Sequence, residues 1–351
     1  MNVQSSSKVC ITFCQHEVSD EWSALVQERD DANLGQAAQW YTVIRQAYGH
    51  KPLYFQAEDT AGVSGILPAF LIQSWVFGTV VTSMPFLDVG GPCTSSAIHL
   101  DALVSHLLKE AAYYGAGLVE LRCTRPLDLP FQASSDKVNL VLRLPKDPDR
   151  LWSQFDTKVR NQIRKAERSG LSIEFGRDEK LAEFYSIFAQ NMRDLGSPVH
   201  AIGFFQAILN TFGERASVVL VRKDTQAIGG LVALSYKDVF FVPWASSLRE
   251  YFSLCPNMLL YWETLRMACL NGFRLFDFGR SSRNAGTYRF KRQWGAIEQP
   301  LFWYSIPVRA HPPKHLSQTD GPGIMLAQLW RSLPLRLTKW LGPMIRKSLT
   351  H

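Results

Sequence analysis

Residues 264–280 read TLRMACLNGFRLFDFGR, and residues 107–122 read LLKEAAYYGAGLVELR. In each stretch an apolar helix pattern ends at a glycine, and an apolar strand pattern with one carboxylate follows. The carboxylate is Asp277 in the later stretch and Glu120 in the earlier one. The likeness of these two stretches indicates that the chain contains two copies of one α/β unit.

A second pair of similar segments lies upstream of the first pair. Residues 59–65 (DTAGVSG) and 224–230 (DTQAIGG) each precede a short apolar run and contain the turn residues of a β-hairpin. Both pairs of segments are separated by about 160 residues, which is the size of an ordinary domain. The spacing predicts two tandem domains, although hairpins and helix–strand units are common enough for such a likeness to arise by chance.

Two proline-containing stretches suggest where the domains end. The polar segment PKDPDR at residues 145–150 is typical of a linker. We therefore predict a first domain at 1–147, a second domain carrying the active site at 148–307, and a basic amphipathic tail at 308–351. The second proline-containing stretch is a Pro-, Ser- and Gly-rich loop at residues 307–322, with which the tail begins. It could lie on an anionic membrane, but its internal prolines favour packing on the first domain.

Composition excludes several classes of protein. The 351 residues are 46% hydrophobic and 20% charged, as in a folded globular protein. Six scattered cysteines without a CxxC pair predict reduced thiols, not disulfides or a zinc site. Neither an apolar run of about 18 residues nor a secretory signal is present, so we expect a cytoplasmic protein. The net charge of +7 favours anionic partners such as nucleotides, RNA or a lipid surface.

Several motifs together give the chain a family resemblance. They are SMPFLDVGGP (83–92), KVRNQIRKAERSG (158–170), NMRDLGSP (191–198), PNMLLYW (256–262), FDFGRS (276–281) and GTYRFKRQWG (286–295). With these motifs, the stretch from Trp40 to Pro307 resembles the FemAB-like family of peptidyltransferases. It resembles more narrowly the FemAB-related proteins associated with exosortase and exopolysaccharide gene clusters.

The resemblance implies both a fold and an activity. The fold is α/β, with two tandem N-acetyltransferase-like (GNAT) domains, each a mixed, mainly antiparallel sheet flanked by helices. The activity is transfer of an amino acid from aminoacyl-tRNA to an amine of a lipid-linked or nucleotide-linked precursor. For this branch we expect a phosphate-bearing envelope or exopolysaccharide precursor as acceptor, at or near the inner face of the membrane. No bound cofactor or metal is expected, and the donor is aminoacyl-tRNA or acyl-CoA.

Other functions remain open on the sequence alone. An acyl-CoA-dependent N-acyltransferase would use the same fold, but the glycine-rich pyrophosphate turn typical of CoA enzymes is missing after residues 242–245. A non-catalytic protein that binds a carbohydrate or a precursor is a second alternative. An RNA-binding module is a third.

Lys291 is the first candidate catalytic residue. Acyl transfer to an amine builds a tetrahedral oxyanion, which the enzyme must stabilise with positive charge or N–H donors. The resemblance assigns this role to the Lys of the Phe290-Lys291 pair, just before Trp294-Gly295. The alternative is a lysine whose stem packs on Trp294 while its ammonium stays in water.

Asp277 is the second candidate catalytic residue. It could take a proton from the attacking amine as a general base. It could equally form a structural ion pair with Arg280 or Arg289, and Glu120 at the matching place of the first copy favours that interpretation. Arg280, Arg289 and Tyr288 are also candidate substrate-binding residues, because cations beside aromatic surface suit a phosphate or an oxyanion.

The remaining candidates would bind phosphate. Arg193 is placed by the resemblance near a phosphate, with capping of a helix C-terminus as the alternative. Lys158, Arg160 and Arg164 lie on one predicted helix, where such cations either bind phosphates or form a solvated face. Asn257 follows a proline and predicts a helix N-cap, at a helix end that could also bind an anion.

Overall fold

The computed structural model describes residues 9–14, 17–60, 62–309 and 321–350. The N-terminal residues behind the signal-peptide prediction, and most of the predicted loop at 307–322, lie outside these ranges. Among the described residues, no helix is long and apolar enough to cross a membrane. The same residues contain no cluster of His, Cys, Asp and Glu side chains that could hold a metal ion.

Helices and strands alternate along the chain. The helices are α1 (Asp20–Glu28), α2 (Gln39–Tyr48), α3 (Ala97–Tyr113), α4 (Pro148–Gln154), α5 (Thr157–Arg168), α6 (Asp178–Leu195), α7 (Ile202–Phe212), α8 (Pro256–Leu270), α9 (Gly286–Arg292), α10 (Gly321–Ser332) and α11 (Leu335–Arg346). Short 3-10 helices lie at Leu34–Gln36, Gly213–Arg215 and Arg249–Leu254.

The strands are short in the first half of the chain and longer in the second. They are β1 (Cys10–Phe13), β2 (Lys51–Pro52), β3 (Phe55–Asp59), β4 (Gly62–Leu67), β5 (Phe70–Ser74), β6 (Gly78–Thr82), β7 (Cys93–Thr94), β8 (Leu118–Cys123), β9 (Ala133–Ser134), β10 (Lys137–Arg143), β11 (Leu171–Gly176), β12 (Ala216–Lys223), β13 (Gln226–Tyr236), β14 (Val239–Ser247), β15 (Leu275–Ser282), β16 (Ile297–Pro300) and β17 (Phe302–Pro307).

The described residues form two compact units. Unit 1 contains the residues up to 135, 300–309 and 348–350, and unit 2 contains 136–299 and 321–347. Unit 1 has two sheets, ordered β1-β3-β4-β7 and β2-β5-β6-β8-β17-β9. Within them β6 and β8 are parallel, and the other registered pairs are antiparallel. Helix α3 packs its apolar side on the core of this unit.

Unit 2 is built on one seven-stranded sheet, ordered β11-β12-β13-β14-β15-β10-β16. Its strands are apolar on both faces, so helices must cover both. Helices α5 and α8 pack on one face, where Leu231 and Ala233 lie in the core. Helix α6 packs on the other face, where a side chain at Gly230 would meet Phe184. The alternation along β13 therefore assigns the helices to opposite sides of the sheet.

The observed division differs from the predicted one in four places. Strand β10, predicted in the first domain, belongs to the sheet of unit 2, and β17, predicted in the second domain, belongs to unit 1. Helices α10 and α11 of the predicted tail pack on α6 of unit 2, whereas residues 348–350 at its end belong to unit 1. The segment predicted as a linker instead starts α4: Asp147 caps the helix and Pro148 is its first residue.

The predicted repeat is present in both units. The hairpins are β3–β4 and β12–β13, and the helix–strand units are α3–β8 and α8–β15. In each unit the strand that follows the helix pairs in parallel with another strand over three residues: β8 pairs with β6, and β15 pairs with β14. The last of these residues is Glu120 in β8 and Asp277 in β15. The two carboxylates therefore occupy equivalent positions of the repeated fold.

Candidate active site

The sheet of unit 2 parts between its two parallel strands. The register of β14 with β15 ends at the pair Phe241–Asp277. Strand β14 nevertheless continues to Ser247 and β15 to Ser282, each paired with its outer neighbour. From residue 242 on one strand and 278 on the other, the two facing edges have no ladder partner among the described strands. We call this gap the β14–β15 opening.

A bulge in β14 marks the start of the opening. Between the pairs Val232–Trp244 and Leu234–Phe241, two residues of β14 oppose one residue of β13. One of the two is Pro243, which has no backbone N–H to donate to a neighbouring strand. The sequence therefore removes a ladder donor at the place where pairing with β15 stops.

A second bulge lies on the other edge, in β15. Asn139 of β10 pairs with Arg280 and Val141 pairs with Asp277, so two residues of β15 oppose one of β10. One of the two is Gly279, whose φ is 74°. This left-handed conformation is strained for a residue with a Cβ, which explains a glycine inside an otherwise apolar strand.

The carboxylate of Asp277 braces this bulge. Its Oδ1 accepts a hydrogen bond from the backbone N–H of Gly279 at 2.7 Å. Its Oδ2 accepts another from the side-chain amide of Asn139 at 2.6 Å. These contacts support the structural interpretation of Asp277, with a backbone N–H and an amide as partners. Its role as a general base stays a prediction.

Helix α9 brings the ammonium of Lys291 to the same bulge. Its Nζ donates to the backbone carbonyl of Arg280 at 2.8 Å and to that of Gly279 at 3.0 Å. The helix is held in place because Phe290 and Trp294 pack against the core of unit 2. The alternative of an ammonium that reaches only water is therefore wrong. Lys291 is half-buried and fixed at the part of β15 that lacks its β14 partner.

Tyr288, also on α9, is part of a separate polar group. Its hydroxyl donates to Glu298 of β16, and Nε of Arg283 lies 3.1 Å from the same carboxylate. The shared hydrogen bond raises the pKa of Tyr288 above its usual value. That bond, with a smaller contribution from Arg283, holds the pKa of Glu298 below its usual value. Arg289 is exposed on the same helix.

The opposite edge of the opening carries two buried serines. Asn191 of α6 donates from its side-chain amide to Oγ of Ser246 at 2.9 Å. Oγ of Ser247 donates to the side-chain oxygen of Asn257 at 2.6 Å. A Cβ at Gly229 would lie 2.3 Å from Oγ of Ser247, so only glycine leaves room for that hydroxyl. The end of β14 is thus tied to α6 on one face and to α8 on the other.

The predicted N-cap role of Asn257 is wrong. Helix α8 begins at Pro256, and its cap is Cys255, with φ of 60°. Asn257 lies in the first helical turn, and its side chain bonds back to Ser247 of β14. Proline favours the first position of a helix, which places the cap before Pro256 and not after it.

The predicted phosphate-binding residues lie on α5 and α6, whereas Lys291 lies on α9. Arg193 is in the last turn of α6 and donates two hydrogen bonds to Asp194, at 2.7 and 2.9 Å. Arg160, Arg164 and exposed Lys158 lie on α5, as predicted. Their phosphate-binding roles stay predictions.

The arginines of α5 make local contacts. The guanidinium of Arg164 lies 5.5 Å from the ring centroid of Trp152 on α4. Arg160 contacts Thr157 of its own helix at 3.5 Å. We call Arg160 and Arg164 the arginine stripe of α5; Arg164 lies against aromatic surface and remains exposed to solvent.

In unit 1, the position equivalent to the β14–β15 opening lies after the parallel pair β6 and β8, and residues 83–91 occupy it. After β6, Ser83 remains hydrogen-bonded to β8, and Gly90 and Gly91 both donate to the carbonyl of Arg122. Arg122 is fully buried and donates to the carbonyl of Leu87 at 2.7 Å. The SMPFLDVGGP motif therefore fills the position where unit 2 has its opening.

The sequence did not reveal three participants in the site. Asn139 lies in an ordinary strand pattern, and Ser246 and Ser247 follow residues 242–245, where the sequence shows only that a glycine-rich turn is missing. A polar residue flanked by apolar ones in a strand, as in VNL at 138–140, is the one signal that would have suggested a buried polar partner.

Comparison with known proteins supports the fold. Residues 153–292, within unit 2, match the family described as acetyltransferase (GNAT) domain. No curated protein matches the chain at the sequence level. The crystal structure of FemX superposes with a TM-score of 0.67 at 14% identity, covering 93% of this chain and all of FemX.

Two further solved structures have the same fold over most of their length. A tandem GNAT protein from the clavulanic acid biosynthesis pathway has a TM-score of 0.58 at 12% identity, covering 87% of this chain and 100% of that one. L-PGS from Bacillus licheniformis has a TM-score of 0.54 at 11% identity, covering 90% and 97%. The chain therefore consists of two tandem GNAT-like domains with mixed sheets flanked by helices, as predicted.

Proposed function

We propose that the chain is an acyltransferase that moves an aminoacyl or acyl group to an amine, with its reaction at the β14–β15 opening. The observation that carries the proposal is the ammonium of Lys291, held by two backbone carbonyls on the bulge of β15. A fixed cation at the edge of a parted sheet is suited to charge that develops on a carbonyl oxygen.

The proposed reaction is an aminolysis. The lone pair of the acceptor amine attacks the carbonyl carbon of the donor ester or thioester, and the carbonyl electrons move to oxygen. Lys291 stabilises the resulting oxyanion. The intermediate then collapses to an amide as the C–O or C–S bond breaks, and the amine proton passes through a base to the departing alkoxide or thiolate. Asp277 either accepts this proton or only braces the bulge that holds Lys291.

The arginine stripe on α5 provides for the phosphates of the substrates. Both candidate donors, aminoacyl-tRNA and acyl-CoA, carry phosphates, and so does a nucleotide- or lipid-linked acceptor. Lys158, Arg193, Asn257, Arg280, Tyr288 and Arg289 remain proposed substrate-binding residues of unit 2. The proposed acceptor is an amino-bearing envelope or exopolysaccharide precursor, which agrees with a cytoplasmic protein working beside the membrane.

The role of the stripe can be tested by reversing its charge. Arg160→Glu with Arg164→Glu should weaken binding of the phosphate-bearing donor, because the new carboxylates repel phosphate. Lys146→Glu with Arg150→Glu makes the same change of net charge on an exposed segment of the same unit. Equal affinity in the two double variants would make the stripe a solvated face.

The proposed function is tested by the thermal stability of the purified protein with each donor, because a ligand that binds only the folded state raises the melting temperature. Stabilisation by aminoacyl-tRNA, and not by uncharged tRNA or acetyl-CoA, supports the aminoacyl reaction. Stabilisation by acetyl-CoA alone favours the acyl-CoA alternative. If an amino-sugar nucleotide stabilises the protein and neither donor does, the non-catalytic binding function replaces the proposal.

A further inference from the structure

Helices α10 and α11 are fixed to unit 2 by small residues and by their basic side chains. A Cβ at Gly342 would lie 2.9 Å from Val199, so α11 approaches the segment after α6 closely. Arg346 donates to His200 at 3.0 Å, and Arg331 donates to the carbonyl of Leu195 at 3.3 Å. These contacts fix both helices on unit 2 through one close approach at a glycine and two hydrogen bonds from basic side chains.

The outward sides of the two helices are apolar, the reverse of an ordinary surface helix. Seven large apolar side chains are exposed there: Ile324, Met325, Leu326 and Leu329 on α10, and Leu337, Trp340 and Met344 on α11. Met325 is 69% exposed and Trp340 is 66% exposed, which leaves most of each side chain in water. A surface of this kind needs a partner that offers apolar contact.

Charge indicates the nature of that partner. The stretch 321–350 contains five Lys and Arg and no Asp or Glu. Arg336 and Lys347 are exposed and flank the apolar side of α11, at i−1 to Leu337 and i+3 to Met344. Apolar residues with a tryptophan, bordered by cations, match a lipid surface with acyl chains below and anionic headgroups above.

We propose that α10 and α11 dock unit 2 on an anionic lipid bilayer, with the helices lying in its interface. The exposed apolar side chains enter the boundary between headgroups and acyl chains, and Arg336 and Lys347 contact anionic headgroups. The inference is independent of the proposed function, since vesicle binding requires no turnover. A second copy of the chain is the less suitable occupant, because the stretch 321–350 has cations and no Asp or Glu, so two copies would bring like charges together.

The test is co-sedimentation of the full-length protein with phosphatidylcholine vesicles that contain or lack phosphatidylglycerol. We expect binding to the phosphatidylglycerol vesicles that weakens as salt is added. Arg336→Gln with Lys347→Gln should weaken this binding roughly 25-fold, since each cation near an anionic surface contributes about fivefold. Trp340→Gln should weaken it by about tenfold through the loss of buried apolar surface.

Matched variants control for general effects. Leu270→Gln removes another exposed apolar side chain of unit 2, at the end of α8. Lys146→Gln with Arg150→Gln removes two exposed charges elsewhere in the same unit. Both controls should bind vesicles as the unaltered protein does. The melting temperature of each variant in solution should stay unchanged, because the altered side chains are exposed.

Three outcomes would overturn the proposal. One is failure of the unaltered protein to sediment with phosphatidylglycerol vesicles. Another is equal vesicle binding by the tail variants and the controls. The third is a dimer, seen by light scattering without lipid, that Trp340→Gln dissociates, because the apolar surface would then belong to a second copy of the chain.

Discussion

Replacing Lys291 by Met removes the ammonium while keeping an unbranched side chain of similar length. In the structure Nζ donates to two carbonyls of the bulge, at 2.8 and 3.0 Å. The variant therefore loses the proposed oxyanion-stabilising charge and, in addition, two hydrogen bonds that hold β15. The two losses have different magnitudes and different readouts.

The structural loss should be small. A hydrogen bond to a charged group contributes about 1.5–3 kcal/mol, but Lys291 is half-exposed, and water can reach the carbonyls it leaves. We therefore expect the free energy of unfolding to fall by about 1–2 kcal/mol. The catalytic loss should be larger. Removal of an oxyanion donor lowers the rate about a hundredfold to a thousandfold, and because solvent reaches Lys291 we expect a loss of at least about tenfold.

The measurement is kcat of Lys291→Met and of the unaltered protein, well below both melting temperatures, with the donor that stabilises the protein. Arg292→Met is the matched control. Arg292 is the next residue of α9, carries the same charge and also donates to a backbone carbonyl, that of Ala296, at 2.6 Å. For each hydrogen bond removed, Arg292→Met should lose about as much free energy of unfolding as Lys291→Met does. It should keep kcat within about threefold of the unaltered protein.

One result would refute this reasoning. If Lys291→Met turns over within about threefold of Arg292→Met, the ammonium only braces the bulge, and the oxyanion must be stabilised elsewhere.

The swap Asn139→Asp with Asp277→Asn should restore much of the stability that Asp277→Asn loses, because the pair keeps one acceptor and one donor. A pH–rate profile that keeps its acid limb in the single variant Asp277→Asn would exclude Asp277 as the base. Gly279→Ala should cost about 1–2 kcal/mol of stability at its φ of 74°, and unchanged chemical unfolding would contradict the bulge. Burial and, secondarily, Arg346 hold the pKa of His200 well below 6.5. Below pH 6.5 the unfolded chain gains a proton that the folded protein does not, so stability should fall by about 1.4 kcal/mol per pH unit, until the folded pKa is reached. His200→Gln should remove this slope in urea titrations at several pH values.

The repeat and the fold could be predicted because their signals are local. A helix that ends at a glycine before an apolar strand is visible within about 17 residues, and it occurs twice. The domain boundaries could not be predicted, because they depend on strand pairing between residues far apart in the sequence. Strand β10 pairs with β15, whose residues lie more than 130 positions away, and nothing in its own sequence indicates that partner. Prolines at 145–150 signalled a linker and a helix start equally well.

The site was only partly predictable for a related reason. Lys291 and Asp277 stand in recognisable motifs, but their partners are two backbone carbonyls and Asn139. Backbone groups have no residue identity, and the sequence DFG reads the same in a straight strand and in a bulged one. The role of Gly279 becomes visible only with its positive φ.

The central claim is that the donor binds and reacts at the β14–β15 opening of unit 2. Hydrogen exchange with and without the stabilising donor measures this directly, because a bound ligand slows exchange of the amides it covers or orders. The account predicts protection at residues 244–258 and 278–292. It predicts none at 83–92, where the chain of unit 1 closes the equivalent position. Protection confined to 83–92, with 278–292 unchanged, would contradict it.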